Sequence, residues 1–215
     1  MMTAFRRSKN QDILCCTFML LIQAAIVNWI AYNGGRMISH NLPHRCFATR
    51  IDSMIPVLSW TILIYWGGTV FWAVNYFLGA YHKRNGRSRM IMAHVIGEAV
   101  CLLSFVLLPT TMSRPEITGA TLSDQLLRLT YRLDRPDNLL PSIHCFESWL
   151  CWVEARKNPR IPGWYQHLSL IMAIAVCVST LTVKQHVLVD AVAGIALAEI
   201  SYYFAERIIL KKHEL

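Results

Sequence analysis

The sequence predicts an all-α membrane protein, a polytopic bundle of six transmembrane helices with an interfacial helix between the third and fourth. Of 215 residues, 54% are hydrophobic and 16% charged, where soluble domains carry roughly 25% charge. The apolar residues fall in long blocks, and two of these, Ile13 to Gly35 and Ser53 to Tyr81, contain no Asp, Glu, Lys or Arg. A hydrocarbon core of about 30 Å needs about 20 helical residues, so either block is long enough to span. The Lys and Arg residues collect at the ends of such blocks, as membrane-flanking charge does.

The first span is Ile13 to Gly35. It follows Arg6, Arg7 and Lys9, as a secretory signal would, but exceeds the usual apolar region of about 7 to 15 residues and has no Ala-x-Ala site after it. It therefore reads as a retained helix. Ser53 to Tyr81 is the second span, followed by Ile91 to Ser113, Leu139 to Ala155, Ile161 to Val183 and Val187 to Leu210. No internal repeat is visible, so residues 1–215 read as a single membrane-embedded domain.

If the six spans hold, thirteen of the 21 Lys and Arg residues fall on the side of the N-terminus. By the positive-inside rule both termini are then cytoplasmic. The expected location is a multi-pass membrane protein, of the plasma membrane if the cell is bacterial.

The net charge of +8 does not imply a nucleic-acid partner, because no basic stripe is interleaved with aromatics. The seven cysteines do not form a disulfide framework either. Six lie in apolar segments as small packing residues and only Cys46 sits in a polar loop. The tryptophans, Trp72 among them, read as bundle or interface residues.

The loop from Arg114 to Leu140 carries its own helical pattern. Leu122, Leu126, Leu129 and Leu133 form one apolar stripe, with Arg128, Arg132 and Arg135 on another. Thr121 with Asp124 has the spacing of a capping box, and Pro136 ends the pattern. An amphipathic basic helix of this kind suits a membrane surface.

Ionisable residues inside apolar segments are costly and face a bundle interior or a wet cavity. Here they are His94 and Glu98 in span three, His144 and Glu147 in span four, and Asp190 and Glu199 in span six, which His186 precedes. His186 and Asp190, four apart, lie on one helical face. A carboxylate so placed can accept a proton from one imidazole nitrogen and leave the other as base or nucleophile. Span four opens Pro141-Ser142-Ile143-His144; proline is tolerated in a first helical turn, and the free N–H groups there, with the Ser142 hydroxyl, make an anion site. His94 and Glu98 read as a buried pair. Glu147, one turn after His144, either tunes that histidine or makes a structural hydrogen bond.

At these residues the chain resembles the type 2 phosphatidic acid phosphatase superfamily, with its six spans and three-part signature. Pro141-Ser142-Ile143-His144 looks like the second part, Pro-Ser-Gly-His. Ser179-Thr180-x5-His186-x3-Asp190 looks like the third, Ser-Arg-x5-His-x3-Asp, and Arg128-x6-Arg135-Pro136 like the first, Lys-x6-Arg-Pro. Ile143 stands for glycine, Thr180 for arginine and Arg128 for lysine. The Pro-Ser-x-His form without the third-part arginine is similar to a branch that includes inositol phosphorylceramide synthases.

The resemblance implies a metal-independent lipid phosphate phosphatase with no cofactor, acting on a membrane lipid phosphate at the non-cytoplasmic surface. His186, oriented by Asp190, would be the nucleophile that forms a phosphohistidine, and His144 the acid that protonates the departing oxygen. Arg128, Arg135, Ser142 and Lys184 would bind the phosphate, Lys184 replacing the lost arginine. No Cys/His spacing resembles a zinc site. The alternatives are a phosphotransferase that moves a phosphoryl-alcohol head group between lipids, and a noncatalytic membrane scaffold or transporter.

Overall fold

The computed structural model describes residues 18–19, 21–80 and 84–211. The start of the first expected span, with Cys15 and Cys16, lies outside them. Among the described residues the chain is helical, with no strand.

Residues 21–29 are helical and continue through a π-helical turn, Ile30–Gly34, into Gly35–Ser39; this run is α1. A short α2, Arg50–Met54, opens on a capping box between Thr49 and Asp52. Then come a 3₁₀ turn, Ser59–Thr61, and five longer helices and one short one: α3 (Ile62–Ala80), α4 (Arg84–Leu107), α5 (Leu122–Leu133), α6 (Ile143–Lys157), α7 (Gly163–Thr182) and α8 (Leu188–Lys211).

Among the described residues, four helical stretches are long and apolar enough to cross a membrane: Ser59–Gly79, Ser88–Leu107, Gly163–Thr182 and Leu188–Ile209. Their outer faces keep large apolar side chains exposed, including Leu63, Val70, Leu103, Ile171 and Val192. Five ionisable groups of the bundle lie inside: His94, Glu98, Glu147, Glu154 and Asp190 are all buried. Water would penalise that arrangement and lipid favours it, since exposed apolar surface of this extent marks a membrane or partner contact.

The fourth expected span is the shortest helix of the bundle at 15 residues. It can be short because it is the axis of the bundle: α6 packs against α3, α4, α7 and α8. Phe146, Leu150 and Val153 on one face join Phe105, Ala198 and Tyr202 in the main core, while Cys145 on another meets Cys177 and Ala191. Glycine permits this closeness. A Cβ on Gly194 would lie 2.5 Å from the Ser142 carbonyl oxygen and 3.0 Å from the Phe146 nitrogen. Those are backbone atoms, which cannot rotate away.

Gly194→Ala must therefore push the start of α8 from the start of α6, the two helices that carry the histidine motifs. Overpacking of this kind costs about 1–3 kcal/mol. The expected result is a thermal midpoint several degrees lower in detergent, and an unchanged midpoint would show that the two helices part freely.

The loop helix α5 forms with the expected boundaries. The Thr121 hydroxyl accepts from the Asp124 N–H, and the Asp124 carboxylate accepts in return. Its buried face differs from the leucine stripe, however. Leu127 and Thr130 are buried, whereas Leu122, Leu129 and Leu133 are exposed at 70%, 42% and 72%. Leu127 and the partly buried Leu126 pack on Ile62, Tyr65 and Val183, so α5 lies across the ends of α3 and α7.

Candidate functional site

The site is assembled by the turn that joins α7 to α8. Helix α7 ends in a Schellman motif: the Lys184 N–H donates to the Leu181 carbonyl and the Gln185 N–H to the Thr180 carbonyl, while Lys184 takes φ 53°. The His186 N–H donates to that same Thr180 carbonyl at 3.2 Å. Glycine usually fills the left-handed position. Here lysine fills it, and its ammonium donates to the carbonyls of Asp52 at 2.8 Å and Ile55 at 2.7 Å. The long side chain thus bolts the strained turn to α2. Asp52 completes the joint by accepting from the Leu188 N–H at 2.7 Å, at the positive end of α8. Burial alone would raise the Asp52 carboxyl, but the Thr49 hydrogen bonds, the Leu188 N–H and the Lys184 charge hold it below the usual carboxylate range.

This turn fixes His186. Its Nδ1 lies 3.1 Å from the Leu139 carbonyl oxygen and 3.5 Å from Asp190 Oδ2. Both are acceptors, so Nδ1 carries the hydrogen and Nε2 keeps the lone pair of a neutral ring. Burial pushes the imidazole pKa down, but the Asp190 hydrogen bond and charge outweigh it and hold His186 above its ordinary value. Asp190 ties three parts together. Its Oδ2 accepts from the Val187 N–H, and its backbone carbonyl accepts from the Ser142 N–H, each at 3.0 Å.

Ser142 is the N-cap of α6, and its hydroxyl accepts from the Cys145 N–H. Pro141 therefore precedes the helix rather than occupying its first turn. His144, in that turn, stacks on Tyr65 with ring centroids 4.1 Å apart and planes 20° apart. Trp72 leans on it at 5.2 Å, and the Tyr65 hydroxyl lies 3.4 Å from His144 Nδ1. The His144 and His186 ring centroids are 6.4 Å apart. Both rings line one cavity of about 150 Å³, with Tyr65, Trp72, Arg135 and Gln185.

Of the residues named from sequence, His144, His186, Asp190 and Arg135 come together. Three others serve the frame. Arg128 donates to the carbonyls of Ile117 at 2.9 Å and Gly119 at 2.6 Å, fastening the loop ahead of α5. Lys184 is engaged on α2 as described, away from the cavity lining. Ser142 is fully buried beneath the cavity, with its hydroxyl committed to the cap.

Other residues take places the motifs did not indicate. Arg114 donates to the Asp134 carbonyl and to Gln185 Oε1. Arg36 pairs with Asp137 at 2.5 Å and stands 3.6 Å from Asp134, to which the Tyr32 hydroxyl also donates. Asp134 and Asp137 flank Arg135 on the cavity wall. Tyr65 and Trp72 are seven apart, two turns of one helix, and that spacing is the one signal that could have placed both on His144.

The remaining intramembrane carboxylates have local partners. Glu199 accepts from Trp149 Nε1 and pairs with Arg156 at 2.6 Å. Glu147 turns to His94 and Tyr76 instead of His144. The free cysteines include Cys101, Cys145, Cys151 and Cys177, buried in keeping with packing roles, and Cys46, exposed in its loop.

Neither a family model, nor a curated protein, nor a solved structure matches the chain. The chemistry therefore has to be read from the cavity. One imidazole backed by a carboxylate and a second clamped between aromatic rings suit a nucleophile and an acid acting on opposite sides of one reacting atom.

Proposed function

We propose that the chain is a lipid phosphate phosphatase acting through a phosphohistidine on His186. What carries the reading is the pairing of His144 and His186 at 6.4 Å over one cavity, with Asp190 behind His186. His186 Nε2 attacks phosphorus, and His144 protonates the departing lipid oxygen. Water, activated by His144, then releases phosphate and frees His186.

The equatorial oxygens need cations, because phosphoryl transfer is chiefly positioning and charge stabilisation. Arg135 stands on the cavity wall with no ion pair among the described residues. It is the first cation available to the phosphate. Arg36 can follow by exchanging Asp137 for phosphate oxygen.

Purified protein assayed on mixed lipid phosphates tests the reading, with release of inorganic phosphate as the expected product. Transfer of the phosphoryl group to an added alcohol instead would identify a phosphotransferase, and neither product would leave a scaffold. In the same assay Arg135→Ala should raise KM and lower turnover, an effect of about 10²-fold. Lys184→Ala should lower thermal stability with a smaller change in KM, since that side chain holds α2 to the turn. The reverse pattern would return Lys184 to the phosphate.

In the bilayer, α1 and α6 join the four apolar helices to make six spans, and the exposed leucines of α5 rest at the interface. Both termini are cytoplasmic and the histidine cavity opens to the other side. Two reporters check this in a Cys46→Ser background. Glu116→Cys should react with an impermeant thiol reagent added outside intact cells, and Gly163→Cys, whose Cβ meets nothing within 4 Å, should not. The opposite labelling inverts the topology.

A further inference from the structure

A second cluster of ionisable side chains lies apart from the two-histidine cavity. His94 and Glu98 are one turn apart on α4, and Glu147 meets them from α6. The three are 3%, 1% and 2% exposed, and each offers a coordinating atom within 4.8 Å of the others. His94 Nδ1 is 2.6 Å from Glu147 Oε1, and the Tyr76 hydroxyl donates to Glu147 Oε2 at 3.0 Å. Asn28 Nδ2 donates to Glu98 Oε1 at 3.2 Å.

Two polar atoms of the cluster, His94 Nε2 and Glu98 Oε2, are buried and make no hydrogen bond of good geometry among the described residues. Among the described residues no Lys or Arg forms an ion pair with either carboxylate. An imidazolium at His94 would offset one negative charge and leave the other uncompensated in the middle of a bundle, where a lone charge is expensive. A divalent cation with a neutral imidazole and two carboxylates is electrically balanced.

We propose that His94, Glu98 and Glu147 hold a divalent transition-metal ion. One imidazole nitrogen with two carboxylate oxygens is a donor set for Zn²⁺ or Mn²⁺, and it lacks the many oxygen ligands that Ca²⁺ takes. Three protein ligands leave open positions, and the room for water is present. His94 and Glu147 line a cavity of about 350 Å³ that Tyr76 and Asn28 also border. With metal–ligand distances near 2.0–2.2 Å, tetrahedral ligand atoms stand roughly 3.3 Å apart. Binding therefore opens the His94–Glu147 contact by under about 1 Å, within the reach of a Glu147 side-chain rotation. The ion would cross-link α4 to α6, the axis of the bundle.

The test uses the full chain in detergent, stripped with a chelator, exposed to Zn²⁺ or Mn²⁺ alone, and passed through gel filtration before elemental analysis. The expected result is about one ion per chain, a higher thermal midpoint with metal, and no comparable effect of Ca²⁺. Glu98→Gln should retain less than a tenth of the metal, whereas Asp190→Asn, which alters only the two-histidine cavity, should retain all of it. A folded native chain that keeps no ion overturns the proposal and leaves a proton shared between the carboxylates. Equal retention by Glu98→Gln, or loss in Asp190→Asn, overturns it as well. Should Glu98→Gln not fold, Co²⁺ on the native chain decides: visible d–d absorption displaced by Zn²⁺ supports the site, and its absence refutes it. None of these readouts depends on phosphatase activity.

Discussion

His186→Ala should abolish turnover on every lipid phosphate, whereas the loss in His144→Ala should depend on what is leaving. A nucleophile is needed whatever the substrate. An acid is needed only when the departing oxygen is basic. Removal of a general acid costs about 10² to 10⁴ in rate, and that penalty should appear with an alkyl phosphate. With a nitrophenyl phosphate, whose oxygen departs without a proton, it should shrink. His144 is also held between Tyr65 and Trp72, so the folded state of the variant has to be confirmed by its thermal midpoint. If both variants lose activity equally on alkyl and nitrophenyl substrates, nucleophile and acid are wrongly assigned and the histidines share a structural role.

The sequence revealed the parts of this site that depend on short spacings. His186 with Asp190, and Ser142 ahead of His144, are local patterns, and the helix and cap geometry that serves them is local too. The Thr121–Asp124 capping box was legible for the same reason. Of the cations only Arg135 was, since it lines the cavity with both histidines. Arg128 and Lys184 have the right charge near the right motifs, yet their acceptors are backbone carbonyls that the fold brings in from the loop at Ile117 and Gly119 and from α2 and its C-terminal end at Asp52 and Ile55. No pattern in a linear chain shows where such carbonyls will point.

The fold shows the same division. Four apolar helices are evident from length and hydropathy alone. The fourth expected span is shorter than a lipid-exposed helix needs to be because its neighbours surround it, and that protection comes from tertiary packing. Which side of α5 the protein covers was not legible for a related reason. Periodicity finds an apolar stripe, but it does not say whether protein or lipid covers it. Glu147 illustrates the limit again, since helical spacing puts it near His144, and only the packing of α4 on α6 brings in its actual partner, His94.

Asp190→Asn should leave the chain folded but lower turnover and shift its pH dependence. The carboxylate accepts from the Val187 N–H and stands 3.5 Å from His186 Nδ1, and an amide oxygen can still accept from that N–H. What the variant loses is the negative charge that favours the imidazolium. In the native protein that charge, with its hydrogen bond, overcomes burial and holds His186 above its ordinary pKa. Because the nucleophile must be neutral, native kcat/KM should rise with pH through this elevated value. Without the charge, burial prevails and the pKa falls, so the acidic limb of the variant should move to lower pH. The asparagine amide can also turn its NH₂ toward His186, which favours the wrong tautomer and displaces the lone pair from Nε2; a rate loss of about 10²-fold or more is then expected even on the plateau. A merely structural Asp190 would lower stability and leave the pH midpoint in place. An acidic limb that does not move, or that moves upward, would separate Asp190 from the protonation of His186.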